Sequence, residues 1–140
     1  MMIDWWGGRD LRRSVPKVFL LHFWNTSFIV EKDCEIIAFL VGFLSPAYDR
    51  EAYIHFTGVH PDYRMQGLGK AMYERFFELC RRRERTIIHA CTSPVNKVSI
   101  DFHTRMGFLI EPGDGVVEGV CVSLDYNRPG DHKVLFTKYL

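Results

Sequence analysis

The constraint that most narrows the fold lies at residues 59–70, which read Val-His-Pro-Asp-Tyr-Arg-Met-Gln-Gly-Leu-Gly-Lys. An apolar, β-branched and aromatic run at 52–59 feeds this stretch, and an amphipathic helical pattern leaves it. Pro61 ends the strand because it brings no amide donor to a ladder. Gly67 and Gly69 let the backbone come close to a ligand, and the unpaired amides of the helix that follows, at the positive end of its dipole, favour a phosphate. A chain built around this turn is an α/β protein with an anion cradle between a strand and a helix.

Spacing excludes the two commonest phosphate motifs. A P-loop needs glycine where Arg64 stands and Ser or Thr where Ala71 stands. A dinucleotide fingerprint needs Gly or Ala at Met72 and a strand that opens a βαβ unit, whereas the strand here closes a meander.

The rest of the chain is read as one domain, residues 1–140. Its 47% hydrophobic and 14% aromatic content supports a core of its own. A formal net charge of +1 argues against nucleic acid or a membrane surface as partner through bulk electrostatics. Cys34, Cys80, Cys91 and Cys121 form no C-x-x-C pair and are expected to be buried, reduced thiols rather than a zinc site or a disulfide framework. Residues 1–13 carry charges and no signal-peptide core, and the apolar run 18–24 is too short to cross a bilayer, so the expected compartment is the cytoplasm.

In chain order, residues 9–13 and 14–24 read as two short helices. Runs 26–30 and 35–44 read as a hairpin joined by Glu31-Lys32-Asp33-Cys34, and 52–59 completes an antiparallel meander. From Gly67, Leu68, Ala71, Met72, Phe76, Leu79 and Cys80 recur at helical spacing. A strand at 86–92 can lie parallel to the third through a right-handed crossover. A helix at 95–106 stops at Gly107, and strands at 108–111 and 133–139 finish a mixed sheet. Between them, 112–132 reads as a long loop with a short strand at 120–124, a length that marks a functional or mobile segment.

R-x-x-G-x-G from Arg64 to Gly69, after a strand ending Val59-His60-Pro61, resembles motif A of the GNAT superfamily of N-acetyltransferases. Asn96, Ser99, Phe102, Gly107 and Phe108 resemble that superfamily's pattern in its next helix and exit, so the likeness covers 52–108. It implies the GNAT acyl-CoA N-acyltransferase fold: an antiparallel meander, then a parallel, splayed strand pair, with helices on both faces. It implies acetyl-CoA as cosubstrate, with Arg64 in the motif and the pyrophosphate on the amides of Met65, Gln66, Gly67, Leu68, Gly69 and Lys70. The Val59 amide would then face the thioester carbonyl, where losing one oxyanion donor costs about 2.7 to 4 kcal/mol. Asn96, Ser99 and Phe102 would face the cofactor.

By helical spacing Asn96, Ser99 and His103 form one polar stripe, and Lys97, Asp101 and Arg105 a charged one expected to face water. His103 stands where many members carry the tyrosine that protonates the departing thiolate. It is a candidate acid, against a role in hydrogen bonding near the sulfur or at the helix end. An ordinary imidazole is cationic only to about ten per cent at pH 7.5. Strand alternation places Tyr53, His55, Thr57 and Val59 on one face unless a bulge intervenes, which makes His55 the candidate base, against a satisfied histidine and water as base.

Residues 81–85, Arg-Arg-Arg-Glu-Arg, read as a solvated helix end, and Tyr73, Phe76 and Phe77 as core. His22 and His89 lack partners at ligand spacing, so no metal is expected. The expected function is transfer of an acetyl group to a primary amine of a small molecule or peptide by direct attack in a ternary complex. The alternative is a non-catalytic acyl-CoA-binding module. Asp114, Glu118 and Asp125, near Tyr126 and Arg128, hint at a cationic acceptor. GNAT domains begin with a strand; its absence here, or its supply by a partner, would leave an edge open to a homodimer.

Overall fold

The computed structural model describes residues 17–140, and the readings made for residues 1–16, including the first short helix and the question of an initial strand, lie outside them. The chain is a mixed α/β protein of two compact units, one reaching to Arg85 and the other running from Thr86 to Leu140. No helix among the described residues is long and apolar enough to cross a membrane.

The first unit is built on the meander. Strand β1 (Phe28–Lys32) pairs antiparallel with β2 (Glu35–Leu44), and β2 pairs antiparallel with β3 (Glu51–Val59). The hairpin turn is tighter than its composition implied. Glu31 and Lys32 continue the ladder opposite Ile36 and Glu35, leaving only Asp33 and Cys34, both at positive φ, to turn the chain. Two-residue hairpins need that left-handed geometry to follow the strand twist. Before β1, helix α1 is described over Lys17–His22, with a 3-10 turn at Trp24–Thr26. Phe19 and Phe23 both pack against Phe43 of β2.

Helix α2 (Leu68–Arg82) covers the other face, burying Met72, Tyr73, Phe76, Phe77 and Cys80. Gly42 explains how closely it sits: a Cβ there would lie 2.5 Å from Phe76 Cε2, a distance no side chain tolerates without displacement. Ala71, expected on the buried stripe, is exposed, and Tyr73 and Phe77 take its place. Burial pushes the Tyr73 hydroxyl up to about 12, against the lowering effect of its hydrogen bond with Thr57.

The basic run at the end of α2 is not all solvated. Arg85 turns back, and its Nη1 donates to the carbonyls of Ser45 at 3.0 Å and Tyr48 at 2.9 Å. Ser45 Oγ accepts the amides of Ala47 and Tyr48, so one guanidinium and one hydroxyl fix the β2–β3 connection. Arg81 to Glu84 are exposed.

The second unit has β4 (Ile87–Thr92) antiparallel to β8 (Val134–Tyr139), which also pairs with the two-residue β5 (Leu109–Ile110). Helix α3 (Lys97–Arg105) starts two residues later than its composition implied because the Asn96 side chain caps it, accepting the Ser99 amide at 3.1 Å. In the segment read as a long loop, the short strand expected at 120–124 is present as β7 (Val120–Val122), and it pairs with an unexpected β6 (Gly115–Val117) in a hairpin around Glu118-Gly119, both at positive φ. Lys97 Nζ lies 3.1 Å from Glu118 Oε2, and Ser123 bridges to Lys133. The turn beyond is closed by Gly130 N donating to Asp125 Oδ1 at 2.7 Å and Tyr126 N to the Asp131 carbonyl at 2.9 Å.

The four cysteines are in no disulfide, and only Cys80 is buried, its thiol pushed up to about 12 by burial. Cys91 is half-buried, and Cys34 and Cys121 are exposed because both fall in or beside hairpins rather than in the core.

Candidate active site

The site is built where β3 ends. His60 N donates to the Ile37 carbonyl at 2.7 Å, which makes His60 and Ile37 a hydrogen-bonded pair of the antiparallel ladder. Ala38 and Val59, the next pair, are therefore non-hydrogen-bonded, and the Val59 N–H and C=O point away from β2. The carbonyl accepts Arg64 Nε at 3.2 Å. Arg64 thus braces the turn by reaching back to the strand that precedes it.

Between strand and helix the chain makes a 3-10 turn at Pro61–Tyr63, with the Asp62 amide donating to His60 Nδ1 at 3.2 Å. Met65 and Gly67 both take positive φ, 61° and 79°. Met65 is fully exposed, and Gln66 Nε2 reaches the Asp62 carbonyl at 3.5 Å. Gly67 is the N-cap of α2, and no side chain caps the helix there. The Ala71 amide donates to the Gly67 carbonyl at 2.9 Å, so the amides of Leu68, Gly69 and Lys70 have no acceptor within the helix. No acidic residue lies in the first turn, and Lys70 sits 3.8 Å from Glu74. Open amides, a left-handed glycine and a positive helix end are the chemistry of a phosphate cradle, and the residues present fit the pyrophosphate of acetyl-CoA.

His55 is placed differently from the strand-alternation reading. Val41 pairs with Phe56 and Gly42 with Ile54, so His55 is the extra residue of a β-bulge. The bulge flips the alternation: Thr57 and Val59 share the α2 face with their partners Leu40 and Ala38, while Tyr53 pairs with Phe43 on the opposite side. The His55 ring stacks on Phe19 of α1 at 4.2 Å. The four residues do not form one face.

In the second unit the stripe Asn96, Ser99, His103 exists as read, but much of its hydrogen bonding is internal. Asn96 Oδ1 caps the helix. His103 Nδ1 lies 2.8 Å from the Ser99 carbonyl and must donate to it; Ser99 Oγ is 3.3 Å from the same nitrogen. The ring is buried, stacked on Phe136 at 4.5 Å and edged by Phe102 and Phe108. Burial lowers its pKa, against the smaller raising effect of the Ser99 bond, so the ring is neutral at neutral pH. Phe102 is half-buried.

One cluster was not picked out from sequence. His89 Nδ1 lies 3.1 Å from Thr137 Oγ1, and the Thr137 hydroxyl donates to Glu111 Oε1. Only the pairing of β4 with β8 and the position of Glu111 just beyond β5 bring these three together, and no local spacing announces it. Among the described residues no group of three or more His, Cys, Asp or Glu side chains could hold a metal ion.

The model of the acetyltransferase (GNAT) family matches residues 2–108. An uncharacterised N-acetyltransferase of Methanocaldococcus jannaschii is 31% identical over 99 residues, 61% of this chain and 44% of that protein, so the match spans less than half of that relative's length. The structure of Ard1 from Thermoplasma volcanium superposes with a TM-score of 0.72 at 18% identity, covering 90% of this chain and 80% of that one. A putative streptothricin acetyltransferase from Bacillus anthracis, in complex with acetyl coenzyme A, gives 0.66 at 19% identity over 81% of this chain and 61% of that one. With the cradle, its bracing arginine and the fold in agreement with the family match, the chain belongs to the GNAT family of acetyltransferases.

Proposed function

We propose that the chain is a single N-acetyltransferase domain that moves an acetyl group from acetyl-CoA to a primary amine of a small molecule or peptide by direct attack. The observation that carries the reading is the uncapped start of α2 immediately after a strand whose last amide, that of Val59, faces away from its β2 partner. The open amides of Leu68, Gly69 and Lys70 would hold the pyrophosphate, and the Val59 N–H would donate to the thioester carbonyl as negative charge grows there. The bound acetyl-CoA in the streptothricin acetyltransferase structure is in keeping with this. For α3, Asn96, Ser99 and Phe102 stand as proposed cofactor contacts on the family's pattern alone. His103 serves the packing of its own unit in this reading, and the thiolate takes its proton from the attacking amine or water.

Binding is the first test. Acetyl-CoA at 100 times its Kd is expected to stabilise the fold by about 2.7 kcal/mol, seen as a rise in melting temperature, and pantetheine without the pyrophosphate is expected to give much less. No rise with acetyl-CoA overturns the reading. A rise without release of thiol across a panel of amines would instead favour a non-catalytic acyl-CoA-binding module.

A further inference from the structure

We propose that Arg64 is a positioning residue for the transfer step: its Nε–H, bound to the Val59 carbonyl, keeps the Val59 N–H aimed at the thioester oxygen, an inference that rests on the acetyl-transfer reading above. The donor peptide runs from the Gly58 carbonyl to the Val59 amide. His60 and Ile37 form a hydrogen-bonded pair and Val59 and Ala38 do not, so Gly58 and Phe39 are again hydrogen-bonded, and the Gly58 carbonyl accepts the Phe39 amide. Strand β2 thus holds the carbonyl end of the donor peptide, while its N–H end has to stay open for a ligand. On one side of that peptide stands Gly58, and glycine restrains backbone rotation least of all residues. Rigidity has to come from the other side, through Val59.

There the next peptide is held at both polar ends. Its N–H, that of His60, donates to the Ile37 carbonyl at 2.7 Å, and its C=O, that of Val59, accepts Arg64 Nε at 3.2 Å. A planar peptide held on opposite edges resists tilting about its Cα–Cα axis, and Val59, confined to extended backbone, carries that restraint back to the donor N–H. Gln66 and His60 make bonds within the turn, to the Asp62 carbonyl at 3.5 Å and from the Asp62 amide at 3.2 Å, whereas Arg64 reaches back to the strand.

In an extended residue N–H and C=O point to the same side, so Arg64 Nε stands on the side from which the thioester approaches. A guanidinium there can act through its donor or through its charge, and side-chain length separates the two. Counted from Cα, Gln Nε2 stands where Arg Nε does and supplies a donor without charge. Lys keeps the charge one atom further out, and Met has neither donor nor charge.

The test separates kcat from binding. Thiol release is followed at saturating acetyl-CoA, with short peptides carrying a free α-amino group, lysine and a linear polyamine as acceptors. Arg64→Met is expected to lower kcat by about 10-fold or more, short of the roughly 100- to 1,000-fold that follows outright loss of an oxyanion donor. Arg64→Gln is expected to keep most of the parental kcat. Affinity for acetyl-CoA, read by calorimetric titration, is expected to follow charge instead: near parental in Arg64→Lys, and weaker by about 2- to 5-fold in Arg64→Gln and Arg64→Met alike, the worth of one exposed charge pair. In 15N spectra of the free chain the Val59 and His60 amides should shift in Arg64→Met and stay near their parental positions in Arg64→Gln.

Parental kcat in folded Arg64→Met, or Val59 and His60 amides unmoved by it, overturns the inference. Equal losses of kcat in Arg64→Gln and Arg64→Met, with the rate kept in Arg64→Lys, also overturn it and assign the effect to charge. If Arg64→Met does not fold, Arg64→Gln decides: near-parental kcat supports the inference, and a loss as large as that expected for the methionine variant overturns it. Acetyl-CoA binding without turnover of any acceptor by the parent overturns it too but leaves the cofactor reading standing. Absence of acetyl-CoA binding removes both.

Discussion

Gly67→Asp is expected to eliminate acetyl-CoA binding while leaving the free protein about as stable as the parent. Gly67 sits at φ 79°, ψ 8° as N-cap of α2, and a Cβ there meets nothing within 4 Å. Aspartate tolerates the left-handed region better than most residues and caps helices well, so strain and capping offset each other to within about 1 kcal/mol. The carboxylate would nevertheless occupy the position proposed for the pyrophosphate. Like charges brought together at an interface cost several kcal/mol, which corresponds to about 100-fold or more in Kd. Gly67→Asn, with nearly the same size and no charge, should retain most of the affinity. Calorimetric titration of both variants decides it, and parental affinity in Gly67→Asp would contradict the cradle assignment.

That cradle was legible in the sequence because its signals are local. A proline ends the strand, glycine permits the left-handed cap, and helical spacing begins at once. Asn96 reads as part of the helix, on its polar stripe, and the structure makes it the cap that starts the helix at Lys97, a role its residue type favours. What could not be read depends on pairing. The bulge at His55 is a register event between two strands, and it alone separates Tyr53 from Thr57 and Val59. Within 112–132 the strand at 120–122 was legible, but its partner at 115–117 was obscured because it is three residues long and the turn between them uses Glu118, not an expected left-handed residue. The Glu111–Thr137–His89 cluster needs three strands far apart in sequence. Arg85 looked like one more cation at a helix end until the β2–β3 connection came within its reach.

The second large effect concerns the core that carries the cradle. Phe76 is fully buried and packs on Gly42, where the missing side chain makes room for its ring. Phe76→Ala is expected to cost about 3–5 kcal/mol, transfer and cavity terms together. A domain's whole stability is about 5–15 kcal/mol, so the variant should be marginal at physiological temperature. Urea titration should show a lower midpoint with the slope kept. Gly42→Val should also destabilise, by overpacking the same contact, and the double variant should recover part of the loss because the valine fills space the ring vacated. A cost of about 1 kcal/mol or less for Phe76→Ala would mean that α2 is not seated on β2 in this way.

The central claim is that the start of α2 receives the cofactor's phosphates. It is tested most directly by following the backbone amide resonances of the 15N-labelled chain during titration with CoA and, separately, with pantetheine. The account predicts that the amides of Leu68, Gly69 and Lys70 shift strongly with CoA and remain near their free positions with pantetheine. Binding of CoA that leaves these three amides unmoved would contradict it.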